Sequence, residues 1–209
     1  MASSGAMIEF GRNDFGRNDA DLMWALDLVD GTVNLMHGVP LCGISLGLVR
    51  GIEPVLGVID LPFLGLRYSA WRGAGAFRGE QRIAAASDTD RMADAVVALG
   101  DYAVGEDAAR KNVERFRITR VLAASAQRIR MFGSAAIDLA WVAEGRIAAS
   151  VMLVDKPWDT AAGVVLAREA GATVIDQNGS PHTMRSTSTI AVAPALREEL
   201  LGLLSAGAP

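Results

Sequence analysis

The chain has 209 residues, 51% hydrophobic and 21% charged, with a formal net charge of −4. That length can bury a sizeable core, in one domain or two tightly joined lobes. The acidic balance without a basic run argues against nucleic acid or an anionic membrane as the main partner, and one cysteine, Cys42, excludes an internal disulfide. No apolar run has membrane-spanning length and no signal-like pattern opens the chain, so a cytoplasmic protein is expected.

Residues 1–20 read as an irregular segment containing a tandem pentapeptide, Phe10 to Asp14 and Phe15 to Asp19. Residues 22–28 then read as a strand, apolar except for Asp27. The Asp30-Gly31 pair with Thr32 next forms a turn that opens a helix. Residues 41–49, 55–61 and 66–71 follow as strands joined by short turns, an antiparallel meander, and residues 72–77 form a further hairpin turn. A strand is expected over 95–99 and a helix over 106–124, carrying Val113, Phe116 and Val121 among many charges. Its basic residues, Arg110 through Arg120, read as a solvated face.

The second half alternates strand and helix, which indicates an α/β arrangement. Strands are expected over 127–132, 147–153, 172–175 and 190–193. Helices are expected over 134–144, 159–170 and 195–204, the first two stopped by Gly145 and Gly171. Cys42 lies in an apolar run and reads as a small buried hydrophobe. His37 reads as a turn residue after the short helix.

Three acids stand at element boundaries. Asp27 and Asp30 are three residues apart where the first apolar run stops, and Asp159 stands at a later helix start behind Pro157 and Trp158. Convergent carboxylates, waters and substrate phosphate are what a hard cation such as magnesium prefers. Such ions activate water and stabilise the leaving oxygen of an in-line displacement at phosphorus. Gly31 and Thr32 would direct backbone N–H groups at a phosphate. Taken singly, an Asp-Gly pair is usually a turn and an Asp before Thr-Ala-Ala usually a helix cap.

In combination these motifs resemble the inositol monophosphatase family, magnesium-dependent phosphomonoesterases related to fructose bisphosphatase. The first family signature is matched from Trp24 through Asp27, Asp30-Gly31-Thr32-Val33-Asn34 and Gly38-Val39-Pro40, with Leu28 where proline is usual. The second is met in full from Trp158 to Gly163. Between them, Gly133-Ser134-Ala135-Ala136 resembles the family's glycine corner. The resemblance implies an α/β (α+β layered) sandwich of alternating helix and sheet layers, with residues 21–209 as one catalytic domain of two lobes, roughly 21–125 and 126–209.

The same resemblance implies Mg2+ held by Asp27, Asp30, Asp159 and the carbonyl of Val29. It implies phosphate contacts from Gly31, Thr32 and Asp159, a water-orienting role for the Thr32 hydroxyl beside Asp30, and Ser134 and Ala135 along the alcohol side. A homodimer, a small phosphorylated substrate and inhibition by lithium are expected with it. Family members carry two leading helices and a Gly-Glu-Glu motif before the first signature. Here the first helical layer is expected to be truncated, through a natural truncation or a misplaced start, and Glu9 is the candidate for the missing metal-ligating Glu. A bare sheet face would follow, consistent with a positive mean hydropathy.

The expected activity is hydrolysis of inositol monophosphate or a similar small polyol or sugar phosphate. The acid that would meet inositol hydroxyls, six residues before Trp158, is replaced by Met152. That leaves open a related substrate such as histidinol phosphate or a 3'-phosphorylated nucleotide, or an impaired protein that binds metal or phosphate.

Overall fold

The computed structural model describes residues 22–85, 89–153 and 156–206. Glu9, the tandem pentapeptide and Asp155 lie outside the described residues. The first half forms a six-stranded antiparallel meander of β1 (Leu22–Asp30), β2 (Gly43–Arg50), β3 (Glu53–Leu61), β4 (Leu66–Trp71), β5 (Gly75–Arg78) and β6 (Gln81–Ile83). Alternation of side chains across each strand divides this sheet into an inner and an outer face. A five-residue helix, α1 (Thr32–Met36), interrupts the meander after β1.

A second sheet is built from β7 (Val96–Leu99), β8 (Arg128–Arg130), β9 (Ala149–Met152), β10 (Thr173–Ile175) and β11 (Thr189–Val192), in the order β10-β11-β9-β7-β8. β7 pairs parallel with both β8 and β9, whereas β11 pairs antiparallel with β9 and β10. The helices are α2 (Ala108–Ser125), α3 (Ala135–Ala143), α4 (Pro157–Glu169) and α5 (Arg197–Ser205). One core packs α3 and α4 between the sheets, through residues such as Ile59, Leu139, Val164 and Ala191. A second core joins the far face of the second sheet to α2 and α5, through Val97, Val151, Ile118 and Leu200. The layers therefore run sheet, helix pair, sheet, helix pair.

The fit of α4 against the first sheet explains the small residues of the second signature. Gly47 and Gly57 are partners across β2 and β3. A Cβ on Gly47 would lie 2.7 Å from the Ala161 Cβ, and one on Gly57 would lie 2.5 Å from the Ala162 carbonyl oxygen. Glycine under alanine lets the helix backbone settle onto the sheet, and Asp159 rides on the first turn of that helix.

The opposite face of the first sheet is apolar and open. Trp24, Leu48, Leu56 and Trp71 form one cross-strand row, and Leu26, Leu46, Val58, Ser69 and Phe77 the next. Leu22, Trp24, Leu26 and Leu28 are all exposed, so β1 is buried on one face only, and no helix among the described residues lies over this side. Among the described residues this face is therefore an apolar surface, as the sequence led one to expect.

Helix α2 departs from expectation. Its buried line is Asn112, Arg115, Ile118 and Leu122, while Val113 and Phe116 are exposed. The inward stripe was set by the second sheet, which takes Ile118 and Leu122 and turns Val113 and Phe116 outward. The basic residues are accordingly not one solvated face, because Arg115 is buried.

Candidate active site

β1 carries Asp27 and Asp30 through an irregularity. Asp27 pairs with Ser45 and Asp30 with Gly43, so three steps on β1 oppose two on β2. This bulge breaks the strict alternation that would put residues three apart on opposite faces. Ala25 and Asp30 are both buried on the inner side. Gly31 follows with φ +80°, and a Cβ there would meet the Leu41 carbonyl at 2.7 Å, so both conformation and space require glycine. The Thr32 hydroxyl donates to the Val29 carbonyl at 2.8 Å, which brings those two groups together.

The glycine corner closes over Asp30 from the other half of the chain. Ser134 caps α3 by accepting from the Ile137 amide at 3.2 Å, and its hydroxyl donates to Asp30. The Ala136 amide also donates to Asp30, at 2.8 Å. Asn34 ties the corner down. Its side-chain amide donates to the carbonyls of Leu41 (2.7 Å) and Phe132 (2.6 Å), which fastens α1 against the residue before Gly133. The asparagine of the first signature is thus a strut between the region that carries Asp27 and Asp30 and the glycine corner.

Asp159 occupies the third helical position of α4, with Pro157 at the start, and accepts from the Lys156 amide at 3.3 Å. Asp27 accepts from the Val29 amide at 3.0 Å. Burial, together with the charges of Asp30 and Asp27, pushes Asp159 up to about 7. Burial likewise pushes Asp30 up to about 6, against the lowering effect of its bonds from Ser134 and Ala136. Burial is the main cause in both, and the charges of Asp27 on Asp30 and of Asp30 and Asp27 on Asp159 add to it.

Asp30, Ser134, Ala135 and Asp159 line one cleft of about 580 Å³ counted to its open mouth. Gly100, Asp101, Arg115, Gly133, Asp138, Met152 and Leu153 complete it. Asp27 is outside the lining, although its charge acts on both Asp30 and Asp159. Gly31 and Thr32 are likewise outside it, and His37 is exposed away from it. Cys42 is buried, as a small hydrophobe should be. Met152 does face the cleft, where an acid would meet hydroxyl groups.

Asp101, Arg115 and Asp138 were not singled out from the sequence. Asp138 had a signal, because it lies four residues after Ser134 on the same face of α3. It is buried, accepts from the Ser150 hydroxyl at 3.4 Å, and its second oxygen has no hydrogen-bond partner. Burial first, and then the charge of Asp30, pushes its carboxyl well above the usual range. Arg115 had no such signal among the other arginines of α2.

Among the described residues no group of three acids, imidazoles or thiols is already arranged to hold a metal ion. Asp27, Asp30 and Asp159 each turn an oxygen to a backbone donor instead. The donor set still fits a hard cation: three acids whose charges act on one another, with a carbonyl at Val29 near the end of the same strand. A divalent cation would offset the burial that chiefly raises Asp30 and Asp159 and the neighbouring negative charge that adds to it.

Residues 6–207 match the model of the inositol monophosphatase family. The chain belongs to that family. Its members are phosphoric monoester hydrolases that act on small phosphorylated substrates and are generally metal-dependent. The chain is 35% identical over 192 residues to the inositol-1-monophosphatase ImpA of Mycolicibacterium smegmatis, covering 91% of this chain and 69% of that protein. It is 34% identical over 185 residues to the fructose-1,6-bisphosphatase/inositol-1-monophosphatase of Thermotoga maritima, covering 88% and 68%.

Solved structures agree in fold. The SuhB protein of Bartonella henselae superposes with a TM-score of 0.82 at 33% identity, over 90% of this chain and 70% of that one. The inositol monophosphatase of Anabaena gives 0.81 at 32%, over 90% and 73%. The layered sandwich inferred from the signatures is therefore the family fold. No described helix is long and apolar enough to cross a membrane.

Proposed function

We propose that this chain is a magnesium-dependent phosphomonoesterase acting on inositol monophosphate or a similar small polyol or sugar phosphate. The observation that carries this reading is the convergence of Asp30 and Asp159 on one cleft beneath the Ser134–Ala136 corner, with Asp27 acting electrostatically on both. Asp27, Asp30, Asp159 and the Val29 carbonyl would hold the cation. When bound, Mg2+ supplies Lewis acidity toward phosphate oxygens and acidifies the attacking water.

The protein's own groups then have defined tasks. The Thr32 hydroxyl, already donating to the Val29 carbonyl, turns its oxygen lone pairs outward to accept a hydrogen bond from the attacking water and so orients it. Gly31 and the Thr32 amide meet the phosphate from a turn that the close approach of the Leu41 carbonyl holds in place. Ser134 and the Ala136 amide keep Asp30 ionised and aimed, since hydrogen bonds to a carboxylate favour its charged form. Ser134 and Ala135 line the alcohol side of the cleft. Glu9 is the proposed additional ligand and lies outside the described residues. By family resemblance the active species is a cytoplasmic homodimer sensitive to lithium.

Met152 supports a second reading, in which the same chemistry serves histidinol phosphate or a 3'-phosphorylated nucleotide. An apolar group in place of an acceptor no longer rewards inositol hydroxyls. Phosphate release should be measured on inositol, sugar, histidinol and nucleotide phosphates, with and without magnesium, for the wild type and Asp27→Asn. Magnesium-dependent turnover lost in the variant supports the assignment and ranks the substrates. A folded protein that binds magnesium and turns over none of them is an impaired metal- or phosphate-binding protein instead.

A further inference from the structure

Arg115 stands apart from every other basic side chain on α2. The inward stripe of this helix contains two polar residues, Asn112 and Arg115, just where the helix passes the end of the cleft. Asn112 is satisfied: its side chain donates to the Ala103 carbonyl at 2.8 Å and accepts from the Ala103 amide at 2.7 Å. Arg115 is only partly so. Its Nε donates to the Asp101 carbonyl at 3.1 Å and one terminal nitrogen, Nη1, to the Lys111 carbonyl at 2.7 Å.

The other terminal nitrogen, Nη2, has no hydrogen-bond partner among the described residues, and no carboxylate there forms an ion pair with the guanidinium. Asp101, although it also lines the cleft, meets Arg115 through its backbone carbonyl. Asp138, the other acid at this end, is turned to Ser150. A buried cation held only by neutral carbonyls is costly unless an anion completes it. The planar fork of arginine is suited to the paired oxygens of a phosphate or carboxylate.

The same wall carries Met152, which cannot bind a hydroxyl group. The polar recognition on the alcohol side is therefore shifted from an acceptor to a cation. We infer that Arg115 is a specificity-determining residue that docks a second anionic group, phosphate or carboxylate, on the alcohol part of the substrate. The substrate class narrows from a neutral polyol phosphate to a phosphate monoester bearing a further acidic group. This inference rests on the phosphatase reading and extends it to the leaving group.

The test compares matched pairs with magnesium present: 2-phosphoglycerate against glycerol 2-phosphate, and fructose 1,6-bisphosphate against fructose 1-phosphate. kcat and KM are measured for the wild type, Arg115→Gln and Asn112→Ala. The wild type should favour the member with two anionic groups, and Arg115→Gln should lower that ratio of kcat/KM by about 10- to 100-fold, mainly through KM, as for loss of a hydrogen bond to a charged group. Asn112→Ala, which loosens the same stretch but keeps the guanidinium, should retain most of the ratio.

The first pair reads a carboxylate and the second a phosphate, so the two results separate the sources of the anion. A wild type without preference in either pair overturns the inference. So does an Arg115→Gln protein in which both members of each pair fall together, the pattern of a purely structural clamp. If the wild type turns over none of the four compounds, the phosphatase reading fails by itself. Calorimetry with the same compounds then decides: tighter binding of the doubly anionic members, lost in Arg115→Gln, upholds the role of Arg115, and equal binding refutes it.

Discussion

Gly57 and Ala162 meet with no room between them: a Cβ built on Gly57 would stand 2.5 Å from the Ala162 carbonyl oxygen and 2.7 Å from its Cα. Strand β3 and helix α4 are therefore in direct backbone contact, within one helical turn of Asp159. Gly57→Ala should cost about 1–3 kcal/mol of stability through overpacking. It should also reduce turnover, because the helix can relieve the clash only by moving the end that carries Asp159. Urea denaturation and metal-dependent phosphate release measure both, and an unchanged midpoint would mean that α4 tolerates displacement.

Asn34 joins two carbonyls from distant parts of the chain, Leu41 and Phe132. Asn34→Ala removes both bonds and leaves their acceptors to solvent or strain. A loss of about 1–3 kcal/mol is expected, from two hydrogen bonds of ordinary strength. Turnover should fall by more than stability alone explains, since the freed corner carries Ser134 and the Ala136 amide. Comparing kcat at temperatures well below the unfolding transition separates the two effects.

Asp138 gives a pH-dependent stability with a definite sign. Its carboxyl is raised by burial and by the charge of Asp30, so the folded state holds the proton more tightly than the unfolded chain does. That contribution is fully present below the ordinary value of 3.8 and is lost as pH rises through the higher folded value. Asp138→Asn keeps the shape and removes the charge. The variant should be more stable than the wild type near neutral pH, with a flatter dependence of Tm on pH. A wild-type Tm that rises steadily from pH 4 to pH 7 in step with the variant would contradict this.

Asp159→Asn should lower metal-dependent turnover by about 100-fold or more while the protein remains folded, because the substituted side chain loses the charge that holds a hard cation. Circular dichroism checks the fold and a magnesium titration checks the binding. Unchanged activity would remove Asp159 from the metal site.

The outer face of the first sheet presents Trp24, Leu26 and Trp71 to solvent. Patches of this kind bind apolar dyes and promote association. The double change Trp24→Lys and Leu26→Lys should decrease dye fluorescence and raise solubility without lowering Tm, since neither side chain is packed in the core. A fall in Tm equal to that of a buried substitution would show that this face is covered.

Much of the molecule was readable in the order of its residues. Short patterns specify local backbone: Asp30-Gly31-Thr32 demands a left-handed glycine at a strand end, and Gly145 and Gly171 stop helices. The turns between residues 41 and 77 leave only a meander. Asp30, Asp159 and the Gly133–Ala136 corner, which line one cleft, stand in short patterns set by a few neighbouring residues, whereas Asp27 stands outside that lining. What the sequence did not reveal depends on which face of an element meets which layer. Val113 and Phe116, apolar residues of α2, lie outside, and Arg115, read as part of a solvated face, is buried in the cleft wall. Asn34 looked like part of a motif and is a strut spanning 98 positions of chain. Hydrophobic periodicity ranks the faces of a helix only by their own polarity. The inward face is chosen by the whole layer stack, where a second sheet already supplies Val97 and Val151 and leaves the polar end of α2 to the cleft.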